Sequence, residues 1–320
     1  MRILVTGGAG FIGSYLCEKY VKEKNTVLCL DNFLSGNLMN VRHLLGYRNF
    51  KLVKGDIRDF DLLERIGRDI DVILHLAAQI HVDRSYVEPR LTYEINVMGT
   101  QNVLEIARIY DVEKVVHTST SEVYGSAQYV PIDEKHPLDA PHPYGASKIA
   151  ADRMCNAYIQ TYDMNISIPR FFNLFGPRQR DIGYGGVISI FTRRVLNGKP
   201  PVIYGDGLQT RDYTYVEDAV RAFDLILNHK PRLEPINFGT GNEVSILDLA
   251  NMIIDLCGKK GSLKPVHVEA RIGEVKQLIA NANKAKKLLK WEPKYDLREG
   301  LKAFIQWYKE FGQEERIKLE

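Results

Sequence analysis

TGGAGFIG, at residues 6–13, decides the fold, because it lies between a short apolar run and a segment with helical spacing. Gly7 permits a tight turn, Gly10 lets the backbone approach a pyrophosphate, and Gly13 lets the helix pack closely on the strand. The helix N-terminus adds backbone amides and the positive end of the helix dipole, and both favour phosphate. The stretch therefore predicts the strand, turn and helix that begin a dinucleotide-binding fold.

A carboxylate stands where the second strand of such a fold would end. Asp31 closes the apolar run Thr26–Asp31 and lies 18 residues beyond Gly13. At that place a carboxylate accepts hydrogen bonds from the ribose 2′-hydroxyl of the adenosine and repels a 2′-phosphate. The sequence therefore predicts NAD, in preference to NADP, as the cofactor.

The first half of the chain alternates short β-branched runs with longer amphipathic segments, the pattern of parallel strands joined by crossover helices. The predicted strands are Arg2–Thr6, Thr26–Asp31, Phe50–Lys54, Val72–Leu76, Lys114–Thr118 and Ile166–Arg170. The predicted helices are Ser14–Lys24, Leu62–Arg68, Asn96–Tyr110 and Ser147–Tyr162. Right-handed crossovers place helices on both faces of the sheet. The predicted fold class is α/β, a Rossmann-type doubly wound parallel sheet with a smaller C-terminal lobe.

Glycine and proline become frequent after about residue 175, which indicates loops and short elements. We therefore predict a dinucleotide-binding domain at residues 1–175 and a mainly substrate-binding lobe at residues 176–320. Two segments of the second part, 211–227 and 246–256, have helical spacing again and are expected to pack back on the first domain.

Composition excludes several classes of function. The 320 residues include 43 Lys+Arg and 40 Asp+Glu, a net charge of +3, which does not indicate a nucleic acid partner. No run approaches the roughly 20 apolar residues of a membrane span, and the N-terminus has no signal peptide pattern, so a cytoplasmic protein without a membrane partner is predicted. The cysteines and histidines lack metal-ligand spacing, so no metal is predicted.

The chain resembles, over nearly its whole length, the extended short-chain dehydrogenase/reductases of the nucleotide-sugar epimerase/dehydratase group. The matching pieces are TGGAGFIG (6–13), DN (31–32), GDI (55–57), LAA (76–78), STSEVYG (119–125), YGASK (144–148), RFFNLFGPR (170–178) and GDGLQTRDYTYVED (205–218). The resemblance implies NAD as cofactor, a nucleoside-diphosphate sugar as substrate, and a homodimer formed through segments 96–110 and 147–162.

The same resemblance implies which residues bind the cofactor. Asp56 and Ile57 would contact adenine, the segment Leu76–Ala78 would line the cofactor cleft, and Asn96 would lie behind the nicotinamide. With the glycine motif and the second strand, the expected cofactor residues are Gly7, Gly10, Phe11, Ile12, Gly13, Asp31, Asn32, Asp56, Ile57, Leu76, Ala77, Ala78, Asn96, Tyr144 and Lys148.

Tyr144 and Lys148 are four residues apart in a helical segment and so project from one face. The phenol has an ordinary pKa near 10, and an ammonium neighbour and a positive nicotinamide ring are expected to lower it. Thr120 would supply a hydroxyl to the same substrate oxygen. We predict that Tyr144 takes the proton of the sugar's 4-hydroxyl as hydride leaves carbon-4, which gives a 4-keto sugar.

The fate of the ketone depends on Thr120-Ser121-Glu122. This triplet resembles that of sugar 4,6-dehydratases, in which the glutamate handles the carbon-5 proton. Ser121 stands where dTDP-glucose dehydratases have aspartate, and UDP-glucuronate decarboxylases share the triplet. Glu122 could instead hold a backbone amide. A 4,6-dehydratase is predicted; the alternatives are a 4-epimerase, a UDP-glucuronate decarboxylase and, more distantly, a non-catalytic NAD-sensing regulator.

A nucleoside diphosphate needs cations and amides around its phosphates, and guanidinium groups suit that geometry. Arg211 and Arg271 match the family's diphosphate-binding arginines, with Asn173 as a further contact and Arg178 as another candidate. Each arginine could instead form a surface ion pair. The glycine-rich stretch Gly183–Gly186 is expected to border the sugar-nucleotide pocket.

Overall fold

A parallel six-stranded sheet forms the centre of the protein, whose computed structural model describes residues 1–179, 186–270 and 275–311. Its order is β3-β2-β1-β4-β5-β7. These strands are β1 (Arg2–Thr6), β2 (Thr26–Asp31), β3 (Phe50–Lys54), β4 (Val72–His75), β5 (Lys114–His117) and β7 (Ile166–Ser167), with β6 (Ser119–Thr120) lying in a separate sheet.

The helices of the first domain lie on both faces of this sheet, as the crossover rule requires. They are α1 (Phe11–Lys22), α2 (Phe60–Gly67), α3 (Val82–Val87), α4 (Pro89–Tyr93), α5 (Thr100–Ile109) and α6 (Pro143–Tyr162). A π-helical turn over Glu94–Gly99 leads into α5. Short 3₁₀ turns occur at Leu38–Asn40, Arg42–Leu44 and Ser121–Tyr124.

The protein has one apolar core on each face of the central sheet, because successive side chains of a strand point to opposite faces. Ile3 and Val5 pack with α1 on one face of the sheet, whereas Leu4 between them packs with α5 and α6 on the other. All three are fully buried. Because each buried leucine or isoleucine contributes about 1.5–3 kcal/mol, a strand apolar on both faces is stable only between two helical layers.

The part of the chain from Pro169 onward, termed the second lobe below, consists of short strands and five further helices in the described ranges. The strands are β8 (Pro169–Phe171), β9 (Leu174–Phe175), β10 (Val202–Tyr204), β11 (Thr210–Arg211), β12 (Thr214–Tyr215), β13 (Ile236–Phe238), β14 (Val244–Ser245), β15 (Val266–Val268) and β16 (Gln277–Leu278). The helices are α7 (Val187–Leu196), α8 (Val216–Asn228), α9 (Ile246–Leu256), α10 (Asn283–Leu289) and α11 (Leu297–Phe311).

Helices α8 and α9 belong to different cores. Ala222, Phe223 and Ile226 of α8 lie in the same apolar cluster as the β1 residues Ile3 and Val5. Helix α9 instead packs with α7 and α11 in a separate cluster. The second lobe therefore contributes α8, together with Ala285 and Leu289 of α10, to the cluster around β1, whereas α9 packs in a separate cluster.

The α/β class with a Rossmann-type parallel sheet is confirmed, but several predicted ends are wrong. The segment predicted as one strand over Ile166–Arg170 is split, because Pro169, which has no amide hydrogen, begins a strand of another sheet. Arg211 lies in β11, and the helix predicted from it begins at Val216. Among the described residues, no helix is long and apolar enough to span a bilayer.

Candidate active site

The site lies where the strand order reverses, between β1 and β4, the place at which open parallel sheets bind ligands. A cavity of about 930 Å³ opens there, with one wall from the first domain and the other from the second lobe. Of the predicted residues, those that line it are Gly7, Gly10, Phe11, Ile12, Gly13, Asp31, Asn32, Asp56, Ile57, Leu76, Ala77, Ala78, Thr120, Ser121, Glu122, Tyr144, Lys148, Asn173, Arg178 and Arg211.

The glycine turn after β1 is too tight for side chains. Gly7 has φ +71°, and a Cβ there would lie 2.8 Å from the backbone nitrogen of Ala77. A Cβ on Gly13 would lie 2.2 Å from the carbonyl oxygen of Gly7. Helix α1 has no side chain capping its N-terminus, where Gly10 is the N-cap. The turn therefore fits a dinucleotide pyrophosphate against the helix N-terminus.

Asp31 is held at the end of β2 by backbone amides, with Ala9 N 2.9 Å from Oδ2 and Phe33 N 2.8 Å from Oδ1. Burial raises the pKa of this carboxyl, and the amide hydrogen bonds counteract the effect. The carboxylate lines the cavity at the end of β2, the place where a carboxylate can accept hydrogen bonds from ribose hydroxyls.

Asn32 connects Asp31 to the next acidic residue. Its Nδ2 donates to Oδ2 of Asp56 at 2.7 Å, and Arg58 pairs with the same carboxylate at 2.9 Å. Burial alone would raise the pKa of Asp56, but the hydrogen bonds from Arg58 and Asn32 outweigh burial and lower it to about 2. Asp56 is therefore an ionised acceptor that lines the cavity beside Ile57.

Asn96 lies behind the cavity wall and not in it. Its side chain accepts from the amide of Gln79 at 2.7 Å and donates to the Gln79 carbonyl and the Ser147 hydroxyl, both at 2.9 Å. It thus joins the loop after β4 to α6, which carries Tyr144 and Lys148. The sequence does not predict this contact of Gln79 with Asn96, because a buried glutamine in a loop has no distinguishing pattern.

Tyr144 and Lys148 project from the first turns of α6 into the cavity. The ammonium of Lys148 donates to the carbonyl of Thr118 at 2.8 Å, and burial lowers its pKa. Burial, and next the charge of Glu122, raise the pKa of Tyr144, whereas a hydrogen bond with Thr120 lowers it. In the protein alone, burial therefore outweighs the hydrogen bond with Thr120. The lowering expected from a nicotinamide ring concerns the NAD-bound enzyme and stays a prediction.

The 3₁₀ turn Ser121–Tyr124 fixes the triplet at the end of β6. Thr120 caps it, since its Oγ1 accepts from the amide of Glu122 at 3.2 Å. Glu122 is partly exposed to the cavity, and its Oε2 lies 3.1 Å from Nε2 of His142. Glu122 therefore binds an imidazole and not the backbone amide considered as its alternative partner.

His142 is a cavity residue that sequence analysis missed. It is the N-cap of α6, with its Nδ1 accepting from the amide of Gly145 at 3.0 Å. Serine, threonine, aspartate and asparagine are the usual N-caps, so a histidine before Pro143 does not indicate this role.

The second lobe contributes Asn173 and Arg211 to the cavity. Asn173 Nδ2 donates to the carbonyl of Asp212 at 3.0 Å, and Arg211 donates to the carbonyl of Thr210 at 2.8 Å. The backbone contacts fix both side chains at the cavity wall, where a diphosphate would meet a guanidinium and an amide.

Arg178 has the competing role of an ion-pair residue. Its guanidinium contacts Glu18 at 2.5 Å and lies 4.3 Å from the ring centroid of Tyr15. The side chain borders the cavity but joins the second lobe to α1. Arg271 and most of Gly183–Gly186 lie outside the described residues.

A buried ionic group lies behind Lys148. Asp152, one turn further along α6, pairs with Arg170 at 2.9 Å, and both side chains are almost fully excluded from solvent. Arg170 also donates to the hydroxyl of Tyr124 at 3.1 Å. The pair fastens α6 to β8, so the two elements that flank the cavity keep their relative position.

The chain matches a known family and several named proteins over most of its length. The family model described as GDP-mannose 4,6 dehydratase matches residues 4–304. A putative UDP-glucose 4-epimerase of Methanocaldococcus jannaschii is 40% identical over 309 residues, which cover 96% of this chain and 98% of that protein. Other relatives include a UDP-glucose 4-epimerase of Mycolicibacterium smegmatis, a dTDP-glucose 4,6-dehydratase of Streptomyces niveus and a UDP-glucuronic acid decarboxylase 1 of Xenopus tropicalis, which are 34–36% identical over 96–98% of this chain.

Two solved structures are similar over nearly their full length. The UDP-glucose 4-epimerase of Thermotoga maritima, with UDP-glucose, has a TM-score of 0.92 and 35% identity, with coverage of 97% of this chain and 99% of that one. The dTDP-glucose 4,6-dehydratase DesIV of Streptomyces venezuelae, with NAD bound, has a TM-score of 0.91 and 34% identity, with 98% of each chain covered.

Proposed function

Since this chain belongs to the extended short-chain dehydrogenase/reductase family of NAD-dependent nucleotide-sugar epimerases and dehydratases, we propose that it is a sugar-nucleotide 4,6-dehydratase. Its cofactor is NAD, and it is an enzyme of nucleotide-sugar modification. The observation that carries the finer proposal is the position of Glu122, a carboxylate that lines the same cavity as Tyr144 and is hydrogen-bonded to His142.

The first step removes a proton and a hydride from the sugar. Tyr144 accepts the proton of the 4-hydroxyl, with the Thr120 hydroxyl bound to the same oxygen. NAD, when bound, accepts the hydride of carbon-4 and later returns it. Lys148, which is buried and hydrogen-bonded to the Thr118 carbonyl, supplies the positive charge that favours the phenolate.

The second step uses the acidity that the 4-ketone confers on carbon-5. Glu122 removes the carbon-5 proton, the bond from carbon-6 to its hydroxyl breaks, and water leaves with that proton. Carbon-6 would take back the hydride, and carbon-5 would regain a proton from solvent, to which Tyr144 releases the proton that it took from the 4-hydroxyl. The product is a 4-keto-6-deoxy sugar nucleotide, and the substrate has lost one water overall.

The substrate's diphosphate would lie between the two lobes. Arg211 and Asn173 support this position, because both line the cavity on the second-lobe side. Arg271, which follows the described residue Ala270, is a proposed third contact.

A 4-epimerase is the second candidate, and the names of the relatives favour it. UDP-glucose 4-epimerase is the name of several proteins that match this chain along most of its length. An epimerase needs Tyr144, Lys148 and NAD but no base at carbon-5. The 4-keto sugar only rotates in the site and takes hydride back on its opposite face.

Product mass separates these reactions. The purified protein is incubated with UDP-, dTDP-, GDP- and CDP-sugars, and products are followed by mass spectrometry. A product that has lost one water supports the dehydratase. A new isomer of unchanged mass would show that the enzyme is an epimerase, and a product that has lost carbon dioxide would show that it is a decarboxylase.

Glu122→Gln is the matched variant for this test. The amide keeps the size of the side chain and removes its basicity. We expect NAD binding and oxidation of carbon-4 to persist while water loss stops. Water loss at the wild-type rate in Glu122→Gln would overturn the role assigned to Glu122. Tyr144→Phe should stop the reaction at its first step.

A further inference from the structure

His142 forms hydrogen bonds both to the helix that carries Tyr144 and to Glu122. The side chain of His142 is 4% exposed, and both of its ring nitrogens have partners across the site. Nδ1 lies 3.0 Å from the amide of Gly145 on α6, and Nε2 lies 3.1 Å from Oε2 of Glu122 after β6. The ring lies parallel to that of Tyr144, with an interplanar angle of 9° and centroids 6.1 Å apart.

The partners determine where the ring's proton lies. A backbone amide can only donate, so Nδ1 of His142 must carry no hydrogen. A neutral imidazole with a bare Nδ1 has its hydrogen on Nε2, which then donates to the carboxylate of Glu122. The cap of α6 thus fixes the tautomer that Glu122 requires.

Local packing leaves the ring little freedom. A Cβ on Gly145 would lie 2.9 Å from the Glu122 carbonyl oxygen and 3.0 Å from Cε1 of His142. On another side the ring of Tyr86 meets the imidazole edge-on, at 75° and 6.4 Å between centroids. The glycine after Tyr144 therefore admits the close approach of histidine and glutamate.

We propose that His142 is a positioning residue, which holds the Glu122 carboxylate as a hydrogen-bond acceptor beside Tyr144 while it caps the helix that carries Tyr144 and Lys148. The inference rests on the proposed function for the step that Glu122 performs, removal of the carbon-5 proton. His142 would thus connect Glu122, the base of the second step, to the helix that carries Tyr144, the base of the first step.

The link has a chemical consequence. One carboxylate oxygen of Glu122 is occupied by the Nε2 hydrogen of His142, so the other is the one presented to substrate. A carboxylate free to rotate would place its basic lone pair correctly only part of the time, and proton transfer requires contact within about 2.6–3.2 Å.

Two variants separate the cap from the link. His142→Asn keeps an N-cap acceptor for Gly145, since asparagine is a preferred N-cap, but its side chain is too short to hold Glu122 as the imidazole does. His142→Phe keeps a ring against Tyr144 and loses both hydrogen bonds. Thermal unfolding and NAD titration of both variants report whether the helix and the cofactor site remain intact.

The kinetic measurement compares the rate of carbon-4 oxidation with the rate of water loss in the complete enzyme with NAD. In His142→Asn we expect carbon-4 oxidation, seen as transient NADH absorbance, to stay near the wild-type rate. Water loss should slow by at least about 10-fold, part of the roughly 10²–10⁴-fold that a positioned acid–base group contributes. Wild-type water loss, or equal slowing of both steps, would overturn the proposal.

A spectroscopic readout is independent of the reaction. In protein with ¹⁵N-labelled histidine, the His142 signals, identified by their loss in His142→Asn, should show a bare Nδ1 and a protonated Nε2. Glu122→Gln should shift the Nε2 signal. A protonated Nδ1, or an Nε2 signal indifferent to Glu122→Gln, would contradict the proposed link.

The two hypotheses fail in different experiments. If the wild-type enzyme returns only isomers of unchanged mass, the proposed dehydration is wrong, whereas the nitrogen spectra still decide whether His142 holds Glu122. If the wild type loses water but His142→Asn does so equally fast, the dehydratase stands and the positioning role is wrong.

Discussion

The carboxylate of Asp31 lies directly against the backbone of Gly36, where a Cβ would come 2.6 Å from Oδ1 and 2.7 Å from Oδ2. The loop after β2 therefore closes over the carboxylate on one side, and the amides of Ala9 and Phe33 hold it on others. A phosphate on the ribose 2′-oxygen would be repelled by the fixed charge of Asp31 and would clash with the backbone of Gly36.

NAD is accordingly expected to bind more tightly than NADP, by at least about 10-fold, a ratio that needs only about 1.4 kcal/mol. Calorimetric titration with each dinucleotide measures the ratio. Equal affinities would contradict the role given to Asp31.

Gly13→Ala should weaken NAD binding strongly, because its Cβ would lie 2.2 Å from the Gly7 carbonyl oxygen and the pyrophosphate turn must move. We expect a loss of more than about 10-fold in affinity, equivalent to about 1.4 kcal/mol. Gly46→Ala is the matched control, since nothing lies within 4 Å of a Cβ there. Retained affinity in Gly13→Ala would show that the turn tolerates the displacement.

Oxidation of carbon-4 should accelerate as pH rises from neutral into the alkaline range. Burial, and next the Glu122 charge, hold the pKa of Tyr144 above its ordinary value, so the phenolate becomes populated only at higher pH. Glu122→Gln removes the second of these effects, and the rise should then begin at lower pH. Single-turnover NADH formation against pH measures both profiles; an unshifted profile in Glu122→Gln would disprove the coupling.

Removal of Asp152 should destabilise the protein severely. Its partner Arg170 is only 3% exposed and would keep an uncompensated buried charge, a defect that costs about 3–5 kcal/mol. Urea unfolding of Asp152→Ala measures the loss. Asp69→Ala breaks the exposed pair with Arg2 and should cost less than about 1 kcal/mol. Similar losses in the two variants would be inconsistent with this difference in burial.

Much of the cofactor half of the site follows from local signals in the sequence. The glycines of residues 6–13 are required by the steric limits of one turn, and Asp31 by its position at a strand end. Both constraints act within a few residues. The catalytic residues Tyr144 and Lys148 came from helical spacing together with a family resemblance.

The missing parts of the prediction involve contacts between distant residues. Nothing near Glu122 in the chain indicates that His142, 20 residues later, will hold it. Likewise, nothing near Arg178 in the chain indicates that Glu18 forms the ion pair considered as its alternative role. Strand and helix ends also shifted, because Pro169 starts a new sheet and α1 begins at the glycine turn itself.

The sequence by itself determined the alternation of strands and helices in the first domain and the glycine turn after β1. It also predicts an acidic residue for the ribose and the types of catalytic side chain. Those features depend on backbone sterics and periodicity, which are local. The tertiary structure decided which nitrogen of His142 carries hydrogen, that Asn96 joins the β4 loop to α6, and that burial raises the pKa of Tyr144. These properties depend on which distant groups meet and how much water remains around them, and the packing of α6 against the neighbouring elements of the first domain sets both.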